Sequence, residues 1–482
     1  MTPETALVLV IALPAVGAAL IALLGHRPRL RDAVTITTAV ALALTVMQLV
    51  PVVATGARPT IAVAGMVPGV PLALMAEPLG VLFALVAATL WMVTSVYSIG
   101  YMRAHHGHDL TRFFAFFALA MFGAVGVAFA GNLLTLFMFY ELLTLSTYPL
   151  VTHDRTDQAR RAGRLYLGIL LTTSIGLLLT AMLWTWHLAG TLDFRPGGIL
   201  SGHASDAVVG ALLVLYALGT GKAALMPVHR WLPAAMVAPV PVSALLHAVA
   251  VVKAGVFTIL KVAVYTFGAD VLRGATGATA VAYLAAASMV IAGIVALSQS
   301  NLKARLAYST VSQLAYVVLG AMLASRYGVV GGGLHIVTHA LGKITLFFCA
   351  GAYDVAAKKT EVKDLAGIGR RMPLTTAAFL IGALSVVGVP PFGGAWSKWL
   401  LALGAAEAGH LPLLGALMVS MLLSVGYLLP IPARAFFSGS RSGAVREAPL
   451  LCLVPLCLTA AGCLAVTFLA DGIVRLLGPL AG

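Results

Sequence analysis

Charged residues are scarce in this 482-residue sequence, and acidic ones are the scarcest. Asp, Glu, Lys and Arg together make up 10% of the chain, and only 16 residues are Asp or Glu. About a quarter of the residues of a soluble globular domain are charged. With 61% hydrophobic residues and a mean hydropathy of +1.01, the composition excludes an ordinary soluble protein and indicates an integral membrane protein.

Cofactor and metal signatures are also missing. The four cysteines lie in apolar runs without CxxC or metal-ligand spacing, which is typical of small hydrophobic residues in membrane helices and predicts no redox centre. The sequence contains no nucleotide-binding loop, cofactor motif or soluble domain, so we predict no cofactor and no enzymatic activity of the chain alone. The apolar N-terminus lacks a basic region and a cleavage site, and we interpret it as a retained first helix. The cysteines are Cys349, Cys452, Cys457 and Cys463.

Fourteen apolar segments are long enough to cross a bilayer, which predicts an all-α polytopic membrane protein. Only Gly131-Asn132 separates the fourth segment from the fifth, and the eleventh and twelfth are long enough to be broken. Residues 54–76 contain three prolines and predict an external loop or short hairpin. The segments are 5–24, 33–53, 78–101, 113–130, 132–151, 165–189, 207–226, 241–267, 278–298, 304–324, 328–355, 373–403, 411–433 and 450–475.

The basic residues are distributed unequally between the loops. Loops that follow even-numbered segments, with the C-terminal tail, contain only Arg58, Arg195, Arg273, Arg326 and Arg475. By the positive-inside rule, the odd-numbered loops are cytoplasmic and both termini are external. The net charge of +14 therefore reflects topology rather than nucleic-acid binding. The odd-numbered loops contain Arg27, Arg29, Arg31, Arg103, Arg112, Arg155, Arg160, Arg161, Arg164, Arg230, Lys303, Arg305, Lys358, Lys359, Lys363, Arg370, Arg371, Arg434, Arg441 and Arg446.

Residues 219–261 contain lysines in two apolar runs with a proline-rich break between them. Lys222 precedes Pro227, whereas His247 and Lys253 follow the break. A lysine near the centre of a bilayer costs about 2.5–3.5 kcal/mol on insertion scales. Two such lysines therefore indicate a function, and a lysine in apolar surroundings can exchange a proton near neutral pH.

Glu141 is the only carboxylate in the middle of a segment. Ionisable groups at this depth are usually functional. The alternative is a structural hydrogen bond to Ser146, Thr147 or a neighbouring helix. Lys261 lies within two turns of a segment end, so we predict that it extends to the membrane interface without a functional role.

His335, His339 and Lys343 follow one another at intervals of four residues. This spacing places all three on one face of one helix. The pattern lacks the glutamate of an HExxH motif and a third ligand, so it does not favour a metal site. Because neutral imidazole both donates and accepts, a proton relay is the better interpretation, and core histidines bonded to backbone carbonyls are the alternative. We further predict that this helix is broken near Gly331–Gly333 or Gly342.

Pro390 and Pro391 interrupt a long apolar run shortly before Lys398. A proline removes a backbone donor, and the freed carbonyl groups need partners inside a membrane. We therefore predict a broken helix here and another near Pro227. Two broken helices at comparable places in the two halves of a chain are typical of inverted-repeat transporters.

Four stretches of the sequence resemble one known family. GKAALMPVHRWLPAAMVAPVPVSALLHAVAVVKAG, FYELLTLSTYPL, GGGLHIVTHALGK and GVPPFGGAWSKWL are similar to the proton-translocating membrane family shared by Mrp-type cation/proton antiporters, respiratory complex I and membrane-bound hydrogenases. The resemblance covers about residues 70–435. It implies fourteen helices, with helices 4–8 and 9–13 as inverted repeats and helices 7 and 12 broken. We accordingly divide the chain into 1–111, 112–268, 269–437 and 438–482.

The resemblance also implies roles for the buried ionisable residues. Glu141 would pair with Lys222, and a hydrated polar axis would continue through the second half of the chain. Protons would pass along this axis, and the partners would be other membrane subunits in a bacterial cytoplasmic membrane. The axis would comprise Glu141, Lys222, His247, Lys253, His335, His339, Lys343 and Lys398.

Single positions within these motifs indicate which subunit of the family the chain resembles. WLPAAM stands where many relatives have WLPDAH, so an acid and a histidine are missing at Ala234 and Met236. Lys398 is present where one complex I subunit has glutamate, and FYELLTLSTYP resembles the D-type antiporter subunit. We therefore predict a D-like subunit of a monovalent cation (Na+)/proton antiporter. A pump subunit of a redox-driven complex and a non-transporting scaffold remain as alternatives.

Overall fold

The computed structural model describes residues 1–439 and 446–481, of which almost all regular structure is helical. Arg441, one of the basic residues used to predict topology, lies outside the described residues. Among these described residues, eleven helices are long and apolar enough to span a membrane. One further helix and two broken helices bring the number of crossings to the fourteen predicted. The first six helices are α1 (Pro3–Leu23), α2 (Pro28–Ala54), α3 (Pro78–Ala104), α4 (Leu110–Ala128), α5 (Leu133–Val151) and α6 (Asp157–Ala189).

The second part of the chain contains the two broken helices and the helices between them. We number the crossings of the membrane by the predicted segments. Helix α7 with the short turns that follow it corresponds to crossing seven, and α12 and α13 together form crossing twelve. The helices are α7 (Asp206–Gly219), α8 (Val240–Phe267), α9 (Thr276–Ser298), α10 (Leu302–Met322), α11 (Arg326–Ala357), α12 (Pro373–Val387), α13 (Gly394–Glu407), α14 (Leu411–Phe437) and α15 (Leu450–Leu480).

The predicted hairpin between α2 and α3 is confirmed. Strands β1 (Thr60–Val67) and β2 (Val70–Met75) are antiparallel, and β2 lies against the short connection between α4 and α5. The backbone amide of Gly131 donates to the carbonyl of Ala73, at 2.8 Å. The side chain of Asn132 accepts from the amide of Thr135 and so caps the start of α5. In the structure four residues, 129–132, separate the two crossings, and this cap starts α5 directly after them.

Contacts between loops confirm the predicted alternation of the loops between two ends of the molecule. At the arginine-rich end, Asp32 near the start of α2 binds Arg103 at the end of α3, at 2.7 Å. At the same end, Lys303 in the first turn of α10 donates to the carbonyl of Ala238, at 3.0 Å. At the opposite end, the loop after α6 hydrogen-bonds to the connection between α4 and α5. The assignment of the arginine-rich end to the cytoplasm stays a prediction.

Helices α8 and α11 form the centre of the bundle. Every residue in the most apolar window of α8 is buried, as are 94% of those in α11, against 33% in α6 and α14. Helix α8 also contains two π-helical segments, Leu245–Val249 and Ala263–Phe267. Such segments interrupt the regular α-helical hydrogen bonding and occur frequently at functional sites.

The predicted breaks near Pro227 and at Pro390-Pro391 are confirmed. Helix α7 ends at Gly219 and is followed by short 3₁₀ turns, while α12 ends at Val387 and α13 begins at Gly394. The predicted break in α11 is wrong, because α11 is one continuous helix of 32 residues. Its glycines serve close packing instead: a Cβ on Gly342 would lie 2.7 Å from Val386.

Candidate proton-transfer axis

The first broken helix places Lys222 against α5. Lys222 is buried in the 3₁₀ turn after α7, and its Nζ donates to the carbonyl of Tyr140 (2.8 Å) and to Oγ1 of Thr144 (2.5 Å). The ammonium also lies 3.2 Å from the centre of the Tyr140 ring. A Cβ on Gly255 would lie 2.3 Å from the carbonyl carbon of Lys222, so glycine at this position allows α8 to touch the break.

The ion pair predicted between Glu141 and Lys222 is not a direct contact among the described residues, and it stays a prediction. Glu141 is half-buried, and its Oε1 is enclosed without a hydrogen-bond partner. Lys222 instead donates to Tyr140 and Thr144, which flank Glu141 in the same helical turn. The reason is local: the turn after Gly219 directs the lysine over the Tyr140 ring, where a carbonyl and a hydroxyl satisfy two of its three donors.

Lys253 and His339 are in direct contact across the two central helices. Nζ of Lys253 in α8 lies 2.5 Å from Nδ1 of His339 in α11, and both residues are buried. An ammonium can donate here only to a neutral imidazole whose Nδ1 has a free lone pair. His339 then has its proton on Nε2, which is enclosed without a protein partner.

His335 connects His339 to the second broken helix. The rings of His335 and His339 are stacked with centroids 5.8 Å apart, and Nδ1 of His335 lies 3.0 Å from Oγ of Ser397 in α13. The His335 ring also stacks on Tyr316 at 5.2 Å. The predicted inward orientation of both histidines is therefore confirmed, although α11 itself is unbroken.

Lys398 lies at the end of this series, in the second turn of α13, and its side chain reaches back across the break of crossing twelve to the end of α12. Its Nζ donates to the carbonyls of Val386 (2.8 Å) and Val387 (3.0 Å) and lies 4.9 Å from the Tyr316 ring. These carbonyls end α12 and have lost their helical partners, so the cation caps the negative end of the helix dipole. Gly388 has a φ of +90°, a left-handed conformation that allows this tight reversal.

Lys343 forms a branch rather than a step between the histidines and Lys398. Its Nζ donates to Oγ of Ser309 (2.6 Å) and to the carbonyl of Leu306 (3.2 Å), both in α10. Ser309 donates in turn to the hydroxyl of Tyr427, at 3.1 Å. The sequence predicted Lys343 on the helix face shared with the histidines, and the structure turns its long side chain towards α10.

His247 lies in the first π-helical segment of α8. It is fully buried, and both ring nitrogens lack a hydrogen-bond partner. The ring contacts Phe347, with centroids 4.7 Å apart. The structure therefore places His247 in the core, one and a half turns before Lys253, without a direct bond to the other predicted residues.

Sequence reasoning missed a buried ion pair between Glu77 and Lys261. Nζ of Lys261 lies 3.3 Å from Oε1 of Glu77, and both side chains are inaccessible to solvent. Glu77 also accepts from the amides of Leu79 and Gly80, which begin α3, and from the hydroxyl of Tyr265. The prediction that Lys261 extends to the interface is therefore wrong, because loops and the carbonyls of Ala128 and Ala130 enclose it.

Comparison with known proteins identifies relatives of most of the chain. A family model described as NADH:quinone oxidoreductase/Mrp antiporter, transmembrane, matches residues 130–424, more than half of the chain. NADH-quinone oxidoreductase subunit N of Desulforudis audaxviator (strain MP104C) is 33% identical over 383 residues, covering 78% of this chain and 75% of the relative. Hydrogenase-4 component B of Escherichia coli (strain K12) is 30% identical over 426 residues, covering 83% and 63%. This chain spans about half the length of another relative, NAD(P)H-quinone oxidoreductase chain 5 of Synechocystis sp..

Solved structures share the same fold. A chain of the Mrp complex from Dietzia sp. DQ12-45-1b superposes with a TM-score of 0.89 at 23% identity, covering 100% of this chain and 97% of that one. A chain of an archaeal membrane-bound sulfane sulfur reductase gives a TM-score of 0.88 at 25% identity, covering 99% and 97%. The all-α polytopic fold predicted from the sequence is therefore confirmed.

Proposed function

Because this chain belongs to the NADH:quinone oxidoreductase/Mrp antiporter membrane family, we propose that it is the proton-translocating, D-like subunit of a multisubunit Na+/proton antiporter. Its partners are other membrane subunits in a bacterial cytoplasmic membrane. One observation supports proton transfer above the others: a series of neighbouring side chains, His339 and His335, leads from Lys253 in α8 to Ser397 in α13, the residue before Lys398. Proton transfer needs groups that both donate and accept, and two histidines occupy the middle of this series.

The contact between Lys253 and His339 defines the elementary step. At 2.5 Å, Nζ and Nδ1 share one proton, because two protonated groups at this distance would repel each other strongly in an apolar interior. A proton that moves from Lys253 to Nδ1 makes His339 an imidazolium, which can then release its Nε2 proton towards His335. Loss of that proton leaves His339 in the opposite tautomer, and the ring must reset before the next transfer.

Water is required to complete the axis. Several buried polar atoms along it have no protein partner, and leaving a buried donor or acceptor unsatisfied costs about 1–3 kcal/mol. Bridging waters would satisfy these atoms and would link the His335 and His339 rings, whose centroids are too far apart for a direct bond. The atoms are Oε1 of Glu141, both ring nitrogens of His247, Nε2 of His335, Nε2 of His339 and both side-chain polar atoms of Gln313.

Glu141 and Lys222 provide a switch at the other end of the axis. Two donors of Lys222 are used by Tyr140 and Thr144, and the carboxylate of Glu141 lies within the same turn of α5. Rotation of either side chain would replace these neutral acceptors by a charged one. Because an ion pair in apolar surroundings depends on the protonation of both groups, arrival or loss of a proton would make or break it.

A redox-driven pump is the second candidate function. Two relatives, 33% and 30% identical, have names of a quinone oxidoreductase subunit and a hydrogenase component. In such a complex the same axis would be driven by electron transfer in partner subunits. The scaffold alternative is disfavoured because four lysines are buried without a carboxylate contact among the described residues, an arrangement that structural stability alone does not favour.

Everted membrane vesicles that contain the assembled complex test the proposal. We expect that NaCl, but not choline chloride, discharges a pH gradient established by respiration, and that Lys253→Met abolishes this response. Lys363→Met, on an exposed loop, serves as the matched control. Proton movement that requires a quinone or hydrogenase substrate and does not depend on Na+ would instead identify the chain as a subunit of a redox-driven pump. Mild-detergent purification of the same complex identifies the partner subunits.

A further inference from the structure

Three potential metal ligands meet at the arginine-rich end of the molecule, outside the proposed proton axis. His108 lies in the loop between α3 and α4, and His153 and Asp154 lie in the loop after α5. One ligand atom from each residue lies within 4.8 Å of the other two. Because His108 is 45 residues from His153, the sequence spacing gives no metal motif here.

His153 is the unusual member of this cluster. Its side chain is buried to 1% exposure, and among the described residues neither Nδ1 nor Nε2 has a hydrogen-bond partner of good geometry. Its ring stacks on that of His108, with centroids 4.8 Å apart and planes at 9°. Arg112 donates to the backbone carbonyl of His153 and leaves the ring free. A buried imidazole without a partner is unfavourable, so a ligand that bonds to its nitrogen would stabilise this loop.

We propose that His108, His153 and Asp154 bind one divalent transition-metal ion of the Zn2+ type. Two imidazoles and one carboxylate are a donor set that suits Zn2+, which prefers four ligands in a tetrahedral arrangement. Ca2+ and Mg2+ are disfavoured because they require six or more oxygen ligands or water, and this site offers a single carboxylate. The proposed fourth ligand is water from the adjoining cavity of about 330 Å³, which His108, His153 and Asp154 line together.

The geometry requires only a small closure of the loops. Tetrahedral Zn2+ with bonds of about 2.0–2.1 Å needs ligand atoms about 3.4 Å apart, so the outermost pair must approach by about 1–1.5 Å. His108 and Asp154 are exposed and can move, whereas His153 is fixed by Phe113 at its edge. The bound ion would fasten the loop after α3 to the loop after α5.

Metal titration of the tag-free complex in mild detergent tests this site. Zn2+ binding is measured by calorimetry, and Co2+ serves as a spectroscopic probe of tetrahedral coordination by nitrogen and oxygen. The variants His108→Gln and Asp154→Asn change exposed side chains and should preserve the fold. His106→Asn is the matched control, because His106 lines the same cavity outside the cluster and asparagine also tolerates its φ of +49°.

We expect one ion per chain in the parent and in His106→Asn, and at least a tenfold weaker affinity in His108→Gln and Asp154→Asn. His153→Gln should abolish binding, with retention of the complex on size-exclusion chromatography as the check on folding. Equal affinity in the parent and His108→Gln would overturn the assignment. A loss of affinity in His106→Asn as large as that in His108→Gln would also overturn it. So would the absence of binding by the parent at 0.1 mM Zn2+, which corresponds to about 5 kcal/mol of binding free energy.

Discussion

Replacing Lys261 by methionine should destabilise the protein by removing the partner of a buried carboxylate. Methionine fills a similar volume but has no charge, so Glu77 would remain enclosed with only the amides of Leu79 and Gly80 and the hydroxyl of Tyr265 as donors. Two unit charges 3.3 Å apart attract each other by about 5 kcal/mol at an effective dielectric constant of 20. Breaking a buried pair by removing one partner typically costs about 3–5 kcal/mol. We therefore expect a loss of about 3–5 kcal/mol in the free energy of unfolding.

The assay is unfolding of the protein in mixed micelles with increasing SDS, followed by tryptophan fluorescence. The double variant Lys261→Met/Glu77→Gln removes both charges and should recover most of the loss, because glutamine leaves no uncompensated ion. Lys363→Met, on an exposed loop, should differ from the parent by less than about 0.5 kcal/mol. A single variant within 1 kcal/mol of the parent, or a double variant no more stable than the single one, would refute the reasoning.

Two further predictions concern topology and the first half of the axis. Single cysteines placed within residues 155–164, around the start of α6, and in the loop 191–205 should react with an impermeant thiol reagent from opposite sides of the membrane. Labelling of both from one side would contradict the fourteen-crossing arrangement. Glu141→Gln and Lys222→Ala should each abolish proton-coupled transport in vesicles while the protein remains inserted, and full activity in either variant would make these residues structural.

The crossings and their breaks could be predicted from the sequence because their causes are local. Apolar length determines a crossing, and Pro390-Pro391 cannot continue a helix, so α12 ends before them whatever surrounds it. A glycine, in contrast, does not by itself determine whether a helix ends. Gly342 suggested a break in α11, but it allows α12 to pack closely, and only the neighbouring helix distinguishes the two roles.

The contacts of the ionisable groups depend on distant residues and were harder to predict. Glu77 and Lys261 are 184 residues apart, and each lies near a predicted segment end, where an interfacial position is the usual expectation. Lys222 was predicted to form an ion pair with Glu141, but the turn after α7 places its Nζ where it donates to the carbonyl of Tyr140. The histidine face of α11 was predicted correctly because a spacing of four residues fixes a helix face without reference to neighbours.

Proton flux in a variant without the two central histidines tests the proposed axis most directly. His335→Leu/His339→Leu removes both imidazoles between Lys253 and Ser397, while leucine suits a buried helix face and should leave α11 intact. The control is His187→Leu, which changes an exposed histidine at the end of α6. In everted vesicles containing equal amounts of assembled complex, we predict that cation-driven proton flux falls to the background of empty vesicles in the double variant and stays at the parent rate in the control. Proton flux at the parent rate in the double variant would contradict a route through α11.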